Sequence, residues 1–311
     1  MRVLVTGATG MVGSAFPREG LKHELIFCSS KEYDLTNRMQ VDEMFYHNPV
    51  DAVIHLAAKV GGVKSNTDYV ADFFHQNVLI NTNLLSAANE YNIEKVVSLL
   101  STCIYPDDAT YPLTENQIHN GEPHISNFGY AYAKRMLDIY SRSIRQQYNR
   151  NYICAVPNNL YGPYDNFDLH NGHVIPAIIR KVWEAKINNN PFVECWGDGI
   201  PLREFTYSED ITKIMLFLLD NYNEATPINI GNMEEHSIEM VVKIICLILE
   251  YDGTIQWRTD MPTGQYKKPS SNEKLLNLGW KKEYYTSLQK GLTKTCEWFI
   301  MNYPKIRGID I

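Results

Sequence analysis

Directly after a short run of branched apolar residues, Val3 to Val5, the chain reads TGATGMVG, with glycines at 7, 10 and 13. Glycines three apart at the end of a strand let the backbone turn tightly, approach a pyrophosphate, and enter a helix whose first amides face the anion. RVLVTG, ELIFCSS, AVIHLAA, KVVSLLS and YICAVPNNLYG then recur as short apolar runs with little inside/outside alternation. Strands buried on both faces of a parallel sheet read that way. Between them, residues 72–91 and 130–148 carry apolar side chains at helical spacing. The fold expected is α/β, a doubly wound parallel sheet of the Rossmann type.

After Tyr161 the pattern loosens into GPYDNFDLHNGH, rich in Gly, Asn and Asp, where a smaller α/β substrate domain is expected to begin. EFTYSEDITKIMLFLLDN and PINIGN read as a strand, a helix and a strand that return to the large sheet. The division expected is therefore 1–163 with 205–233 for the dinucleotide, and 164–204 with 234–311 for a discontinuous substrate domain.

Composition narrows the partners. With 36 acids against 29 Lys and Arg, a net charge of -7 offers no electrostatic attraction to nucleic acid or an anionic membrane. No apolar run approaches the roughly 18 residues of a membrane span. The N-terminus lacks the charged and apolar regions of a secretory signal, and the six cysteines form no CxxC pair. A reduced, cytoplasmic protein without a bound metal is expected.

The end of the second strand speaks to cofactor choice. An NAD binder usually carries an acid there, about 20 residues past the glycine turn, for the ribose 2′-hydroxyl. Here the chain reads Cys28, Ser29, Ser30, Lys31, and the acids Glu32 and Asp34 come later. Hydroxyls and a cation suit a 2′-phosphate, so NADP(H) is expected. Asp34 either meets the adenine or serves the turn.

Tyr130 and Lys134, four apart in GYAYAKR, share one helix face. An ammonium beside a phenol favours the phenolate, and the pair can exchange a proton with a substrate oxygen. Ser101, at the end of KVVSLL, can hydrogen-bond that oxygen from the carboxyl edge of the sheet. His55 reads as a structural or cofactor-side residue.

Glycine turn, Ser101 and Tyr130/Lys134 in this order resemble the extended short-chain dehydrogenase/reductase family. LAAKVGG, STCIYP, NFGYAYAKR, NLYGPYDNF, GHVIPAIIRK, WGDG, LREF and GQYKK sharpen the resemblance to its NADPH-dependent 3,5-epimerase/4-reductase branch. The resemblance implies a GDP-linked 4-keto-6-deoxymannose as substrate and a homodimer. It also implies Ser101, Tyr130 and Lys134 as the reductase triad and Cys103 with His173 as the epimerase acid/base pair. Around NADP(H) it implies Gly7, Gly10, Met11, Val12, Gly13, Ser29, Ser30, Lys31, Asp34, Leu56, Ala57, Ala58, Tyr130, Lys134, Pro157, Asn159, Leu160 and His173. For the sugar nucleotide it implies Lys181, Trp196, Arg203 and Lys267. Asn158 stands where threonine is expected, and Thr263 where an acid often precedes the glycine.

The chemistry gives the cysteine a task. A C4 ketone makes the hydrogens at C3 and C5 acidic, because the anion is an enolate with its charge on O4. Inversion then needs a base on one face and an acid on the other. A thiol and an imidazole, with ordinary values of about 8.5 and 6.5, suit those roles.

Overall fold

The computed structural model describes residues 1–261 and 266–309. Strand β1 (Arg2–Thr6) enters the glycine turn and then a single helical turn, α1 (Met11–Ser14). That helix is shorter than the glycine motif leads one to expect. Pro17 explains why, since its ring disfavours helical backbone at the preceding residue.

The alternation continues with β2 (Glu24–Cys28), α2 (Arg38–His47), β3 (Ala52–His55), α3 (Val63–Asp68), α4 (Val70–Glu90), β4 (Lys95–Leu99), α5 (Phe128–Tyr148) and β5 (Asn151–Pro157). The later elements are β6 (Asn159–Tyr161), α6 (Val174–Ile187), β7 (Phe192–Trp196), β8 (Leu202–Tyr207), α7 (Ser208–Asn221) and β9 (Ile228–Ile230). Last come β10 (Glu235–Ser237), α8 (Ile238–Ile248), β11 (Thr254–Arg258), α9 (Glu273–Asn277) and α10 (Leu288–Asn302).

Six strands form one parallel sheet in the order β2-β1-β3-β4-β5-β9. Leu4, Val53 and Val96 face a core shared with α2, α4 and α5, while Val3, Val5, Ile54 and Val97 face α1 and α7. Both faces are buried, which is why the strands show no polar alternation. The chain reverses direction between β1 and β3, and the carboxyl ends of those strands make the crevice where doubly wound sheets take ligands.

One strand departs from expectation. β8 does not return to the large sheet but pairs with β6 and β10, and only α7 and β9 rejoin the main body. The pairing is dictated by side chains: Tyr207, Phe205 and Tyr161 sit in a third apolar cluster with Ile179, Val242, Leu292 and Phe299 from α6, α8 and α10. β7 and β11 make a separate two-stranded unit.

A buried relay crosses the main sheet. The Thr6 hydroxyl accepts from Leu56 N and Ala57 N and meets His55 Nδ1 at 2.9 Å, while His55 Nε2 meets Asn81 Oδ1 at 3.2 Å. Asn81 Nδ2 donates to Ala133 O at 3.2 Å. Burial, reinforced by Lys134, pulls His55 from 6.5 down to about 3, so the ring is neutral. A neutral ring has one N–H, and the bonds assign it to Nε2.

This fixes a dependence on pH. The unfolded ring takes a proton near 6.5 whereas the folded one refuses it until about 3, so the stabilisation is complete above 6.5 and is lost as pH falls toward 3. The free-energy gap between the parent and His55→Asn should narrow by about 1.4 kcal/mol per pH unit across that window. Denaturant titrations at several pH values measure it; a pH-independent gap contradicts the neutral ring.

Candidate active site

Two glycines shape the cradle for a dinucleotide. Gly7 has φ +70°, and a Cβ on it would come within 2.9 Å of Ala57 N. A Cβ on Gly13 would fall on the Gly7 carbonyl oxygen, while Gly10 is open on its outer side. The turn therefore lies against Leu56 and Ala57, and Val12 and Met11 seal its inner side against the core. The residues present fit a pyrophosphate-bearing cofactor at the β1/β3 crevice. Pro157 is buried at the end of β5, Leu160 packs on the core, and Asn159 Nδ2 donates to Glu204 O at 2.9 Å.

At the end of β2 an acid lies closer to the strand than its place in the sequence suggests. Ser30 and Lys31 are exposed, but Ser29 N and Ser29 Oγ both donate to Glu32 Oε2, at 2.9 and 2.8 Å. A tight turn, with Glu32 N and Tyr33 N donating to Ser29 O, folds the acid back. An acid thus does stand at this strand end. Asp34 serves the turn, accepting from Thr36 N and Oγ1.

The reactive groups lie where β4 meets α5. Ser101 caps the short 3-10 turn Thr102–Ile104, its Oγ accepting from Cys103 N at 3.4 Å. Arg135 of α5 donates to Ile104 O at 2.7 Å and to Gly121 O at 2.6 Å, which fastens the Cys103 turn to the helix of Tyr130. Lys134 is buried, and its Nζ donates to Leu99 O at 2.7 Å. Burial pulls that ammonium down to about 8.

The phenol differs from the sequence expectation. Burial, and next the charge of Cys103, push Tyr130 well above the ordinary phenol range, and Lys134 does not offset them. The ammonium is turned to the Leu99 carbonyl, with the ring centroid 5.9 Å away. Tyr130 is therefore a protonated phenol, a proton donor in waiting. Cys103 is also raised, by burial first, while Ser101, Lys268 and Lys134 act to lower it.

Beyond Cys103 lies a cationic patch. Burial pulls Lys268 below the ordinary lysine range; the Cys103 charge opposes that and Arg203 adds to it. Arg203 is likewise lowered by burial, and its guanidinium donates to Leu202 O at 2.7 Å. Lys268 is held by its neighbours: Ser270 N and Oγ donate to buried Glu204, and Leu113 N donates to Pro269 O. Arg203, weakened by burial, and Lys268, weakened by burial and by Arg203 and only partly offset by Cys103 and Asp107, form a site that an anion would stabilise.

The profile of the NAD dependent epimerase/dehydratase family matches residues 3–231. The chain belongs to that family. Among relatives, a GDP-L-fucose synthase of Dictyostelium discoideum is 41% identical over 98% of this chain and 97% of its own length. A GDP-L-fucose synthase of Sinorhizobium fredii is 40% identical over 97% and 96%. The crystal structure of a GDP-L-fucose synthetase from Naegleria fowleri bound to NADP superposes with a TM-score of 0.92 at 36% identity, covering 98% of this chain and 94% of that one.

Within this epimerase/dehydratase framework some expected residues stand apart. His173 is exposed at the start of α6, and its side chain caps no backbone amide. Among the described residues no hydrogen bond or ion pair joins it to Cys103; its charge acts on buried Asp165. Its loop is fixed by the segment that leads into α3: Gly62 N donates to Asn171 O at 2.9 Å, and a Cβ on Gly62 would come within 2.7 Å of Gly172 O. Lys181 and Trp196 form a pair of their own, Nζ lying 5.6 Å from the ring centroid and donating to Glu194 O at 3.0 Å. Lys267 is exposed, whereas its neighbour Lys268 faces Cys103. Thr263 lies outside the described residues. Asn158 is absorbed structurally, bonding Glu204, Asn232 and Thr206 at 3.3, 2.7 and 2.7 Å.

Removing the proton donor isolates its role. Tyr130→Phe should lower ketone reduction by about 10²- to 10⁴-fold, the usual worth of general acid catalysis, while the dinucleotide still binds. Single-turnover absorbance at 340 nm with parallel binding titrations checks both; near-parental reduction contradicts the assignment.

Proposed function

We propose that the chain catalyses NADPH-dependent 3,5-epimerisation and 4-reduction of GDP-4-keto-6-deoxy-D-mannose to GDP-L-fucose. The observation that carries this reading is that Cys103 interacts electrostatically with Tyr130 and Lys134 and also with Lys268. One sugar ring can then meet a proton carrier and a reductase pair while its diphosphate meets cations. The match to relatives of that activity over nearly the whole chain supports the same reading.

Proton removal from C3 and C5 falls to Cys103. The charge that develops on O4 accepts hydrogen bonds from the Ser101 hydroxyl and the Tyr130 phenol, a kind of stabilisation worth about 3–4 kcal/mol per donor. His173 returns a proton from the opposite face, which inverts the centre. When bound, NADPH supplies the hydride for C4. Tyr130 then passes its proton to O4, and Lys134, at the base of the phenol, holds the ribose with its remaining N–H donors. Lys268 and Arg203 bind the diphosphate, with Lys181 and Trp196 toward the nucleotide; Lys267 is left as an outer contact.

The proposal extends to the setting. Free cysteines and the absence, among the described residues, of a helix able to cross a membrane support a cytoplasmic enzyme. The division into dinucleotide and substrate domains expected at 163/164, 204/205 and 233/234 is part of the same reading, with β6 and the whole of β8 moved to the substrate side by their pairing and packing. A homodimer would cover Phe74, Phe128 and Ile139, exposed on α4 and α5.

Incubation with NADPH and GDP-4-keto-6-deoxy-D-mannose should yield GDP-L-fucose, identified by NMR, and NADPH should outperform NADH in kcat/KM. A product reduced at C4 without inversion at C3 and C5 overturns the epimerase half.

Exchange separates the two half-reactions. With NADP+ replacing NADPH in deuterated water, reduction is blocked, yet deuterium should still enter C3 and C5. Cys103→Ala should abolish that exchange, whereas His173→Ala should stop inversion and leave some exchange with retained configuration. Because the thiol is raised, the exchange rate should climb about tenfold per pH unit through neutrality. A rate that levels off near the imidazole range, or survives in Cys103→Ala, moves the base to His173.

A further inference from the structure

The strand end that should welcome a 2′-phosphate already holds a carboxylate, and we infer that Glu32 occupies the 2′-phosphate seat and thereby weakens the preference for NADPH over NADH. This rests on the reading of the glycine cradle as an NADP(H) site.

Glu32 lies 19 residues past Gly13 in sequence, the distance at which the ribose-binding acid of an NAD site falls. The turn after β2 folds it back so that one oxygen, Oε2, takes both the Ser29 amide at 2.9 Å and the Ser29 hydroxyl at 2.8 Å. Ser29 itself is 8% exposed at the very end of β2. An amide and a hydroxyl converging on one anionic oxygen are the donors that a 2′-phosphate would take at this place. The carboxylate is thus a resident competitor for them. Its field also reaches inward, adding to the burial that pushes Cys28 up to about 11.

The two nucleotides meet this acid differently. A 2′-hydroxyl can donate to Glu32, whereas a 2′-phosphate is repelled and must displace it to reach Ser29. Lys31, exposed on the same turn, pulls the other way. The observed preference is then the difference between a cation and an acid one residue apart. A Glu32 that only braced its turn would bear equally on both nucleotides, so nucleotide discrimination separates the roles.

The test uses the cofactor-free full chain and two fragments, 2′,5′-ADP and 5′-AMP, titrated by calorimetry. Glu32→Gln keeps an oxygen for Ser29 and should melt with the parent; it should tighten 2′,5′-ADP about tenfold, the scale of one like charge a few ångströms from a phosphate in water, and leave 5′-AMP unchanged or slightly weaker, its 2′-hydroxyl having lost a charged acceptor. The NADPH/NADH ratio of kcat/KM should rise in step. Adding Ser29→Ala should remove much of the gain, because the hydroxyl, held less tightly by a neutral amide than by the carboxylate, is what the phosphate takes. Unchanged or weaker 2′,5′-ADP binding in Glu32→Gln overturns the inference and leaves Glu32 as a brace of the turn. A parent that binds neither fragment overturns the cofactor reading itself, and the inference with it.

Discussion

His55 can join β1 to α5 only as a neutral ring, and the position of every reactive group downstream depends on that join. Thr6 ends the first strand, His55 ends the third, Asn81 stands midway along α4, and Ala133 lies beside Lys134 on α5. Charging the ring would turn Nδ1 from acceptor to donor and set two donors against each other at the glycine cradle. It would also bring a second cation into the field of Lys134. Burial prevents this more strongly than any single hydrogen bond could, because a buried unpaired charge costs several kcal/mol while a neutral hydrogen bond contributes about 1. The relay thus ties the cofactor crevice to the helix that carries the phenol.

A second set of bonds completes the coupling. Lys134 reaches Leu99 and Arg135 reaches Ile104, so consecutive residues of one helix clasp the end of β4 before and after Ser101 and Cys103. That is how a serine and a cysteine two residues apart are held together: the serine caps the turn on which the cysteine rides. Burial then raises both the phenol and the thiol, and the nearby ammoniums return only part of that shift to the thiol. In the proposed reaction a protonated Tyr130 suits the final proton transfer, whereas Cys103 must lose its proton before it can take one from carbon.

Much of this was legible in the sequence because its signals are local. β1 to β5 announce themselves as branched apolar runs, and the spacing of Tyr130 and Lys134 sets them on one helix face without knowledge of the fold. What escaped was whatever depends on where a chain doubles back. Glu32 reads as lying past the strand, yet a turn returns it to Ser29. Lys267 and Lys268 are indistinguishable as neighbours in a loop; the Ser270–Glu204 bonds decide which one faces the thiol. β8 has the look of a strand bound for the main sheet, and only the aromatic cluster of Tyr161, Phe205 and Tyr207 shows where it belongs. The effect of Lys134 on Tyr130 was misjudged because helical spacing gives a shared face and not the direction of an ammonium.

The central claim is that burial, opposed by the Ser101 hydroxyl and then by two ammoniums, sets the protonation of Cys103. The most direct measurement is the pH dependence of Cys103 alkylation by iodoacetamide, followed at that peptide by mass spectrometry in the parent and in Lys268→Met. The account predicts a parental midpoint above the ordinary thiol range, with a further rise when the Lys268 charge is removed. A midpoint at or below the ordinary value, unmoved by Lys268→Met, would contradict it.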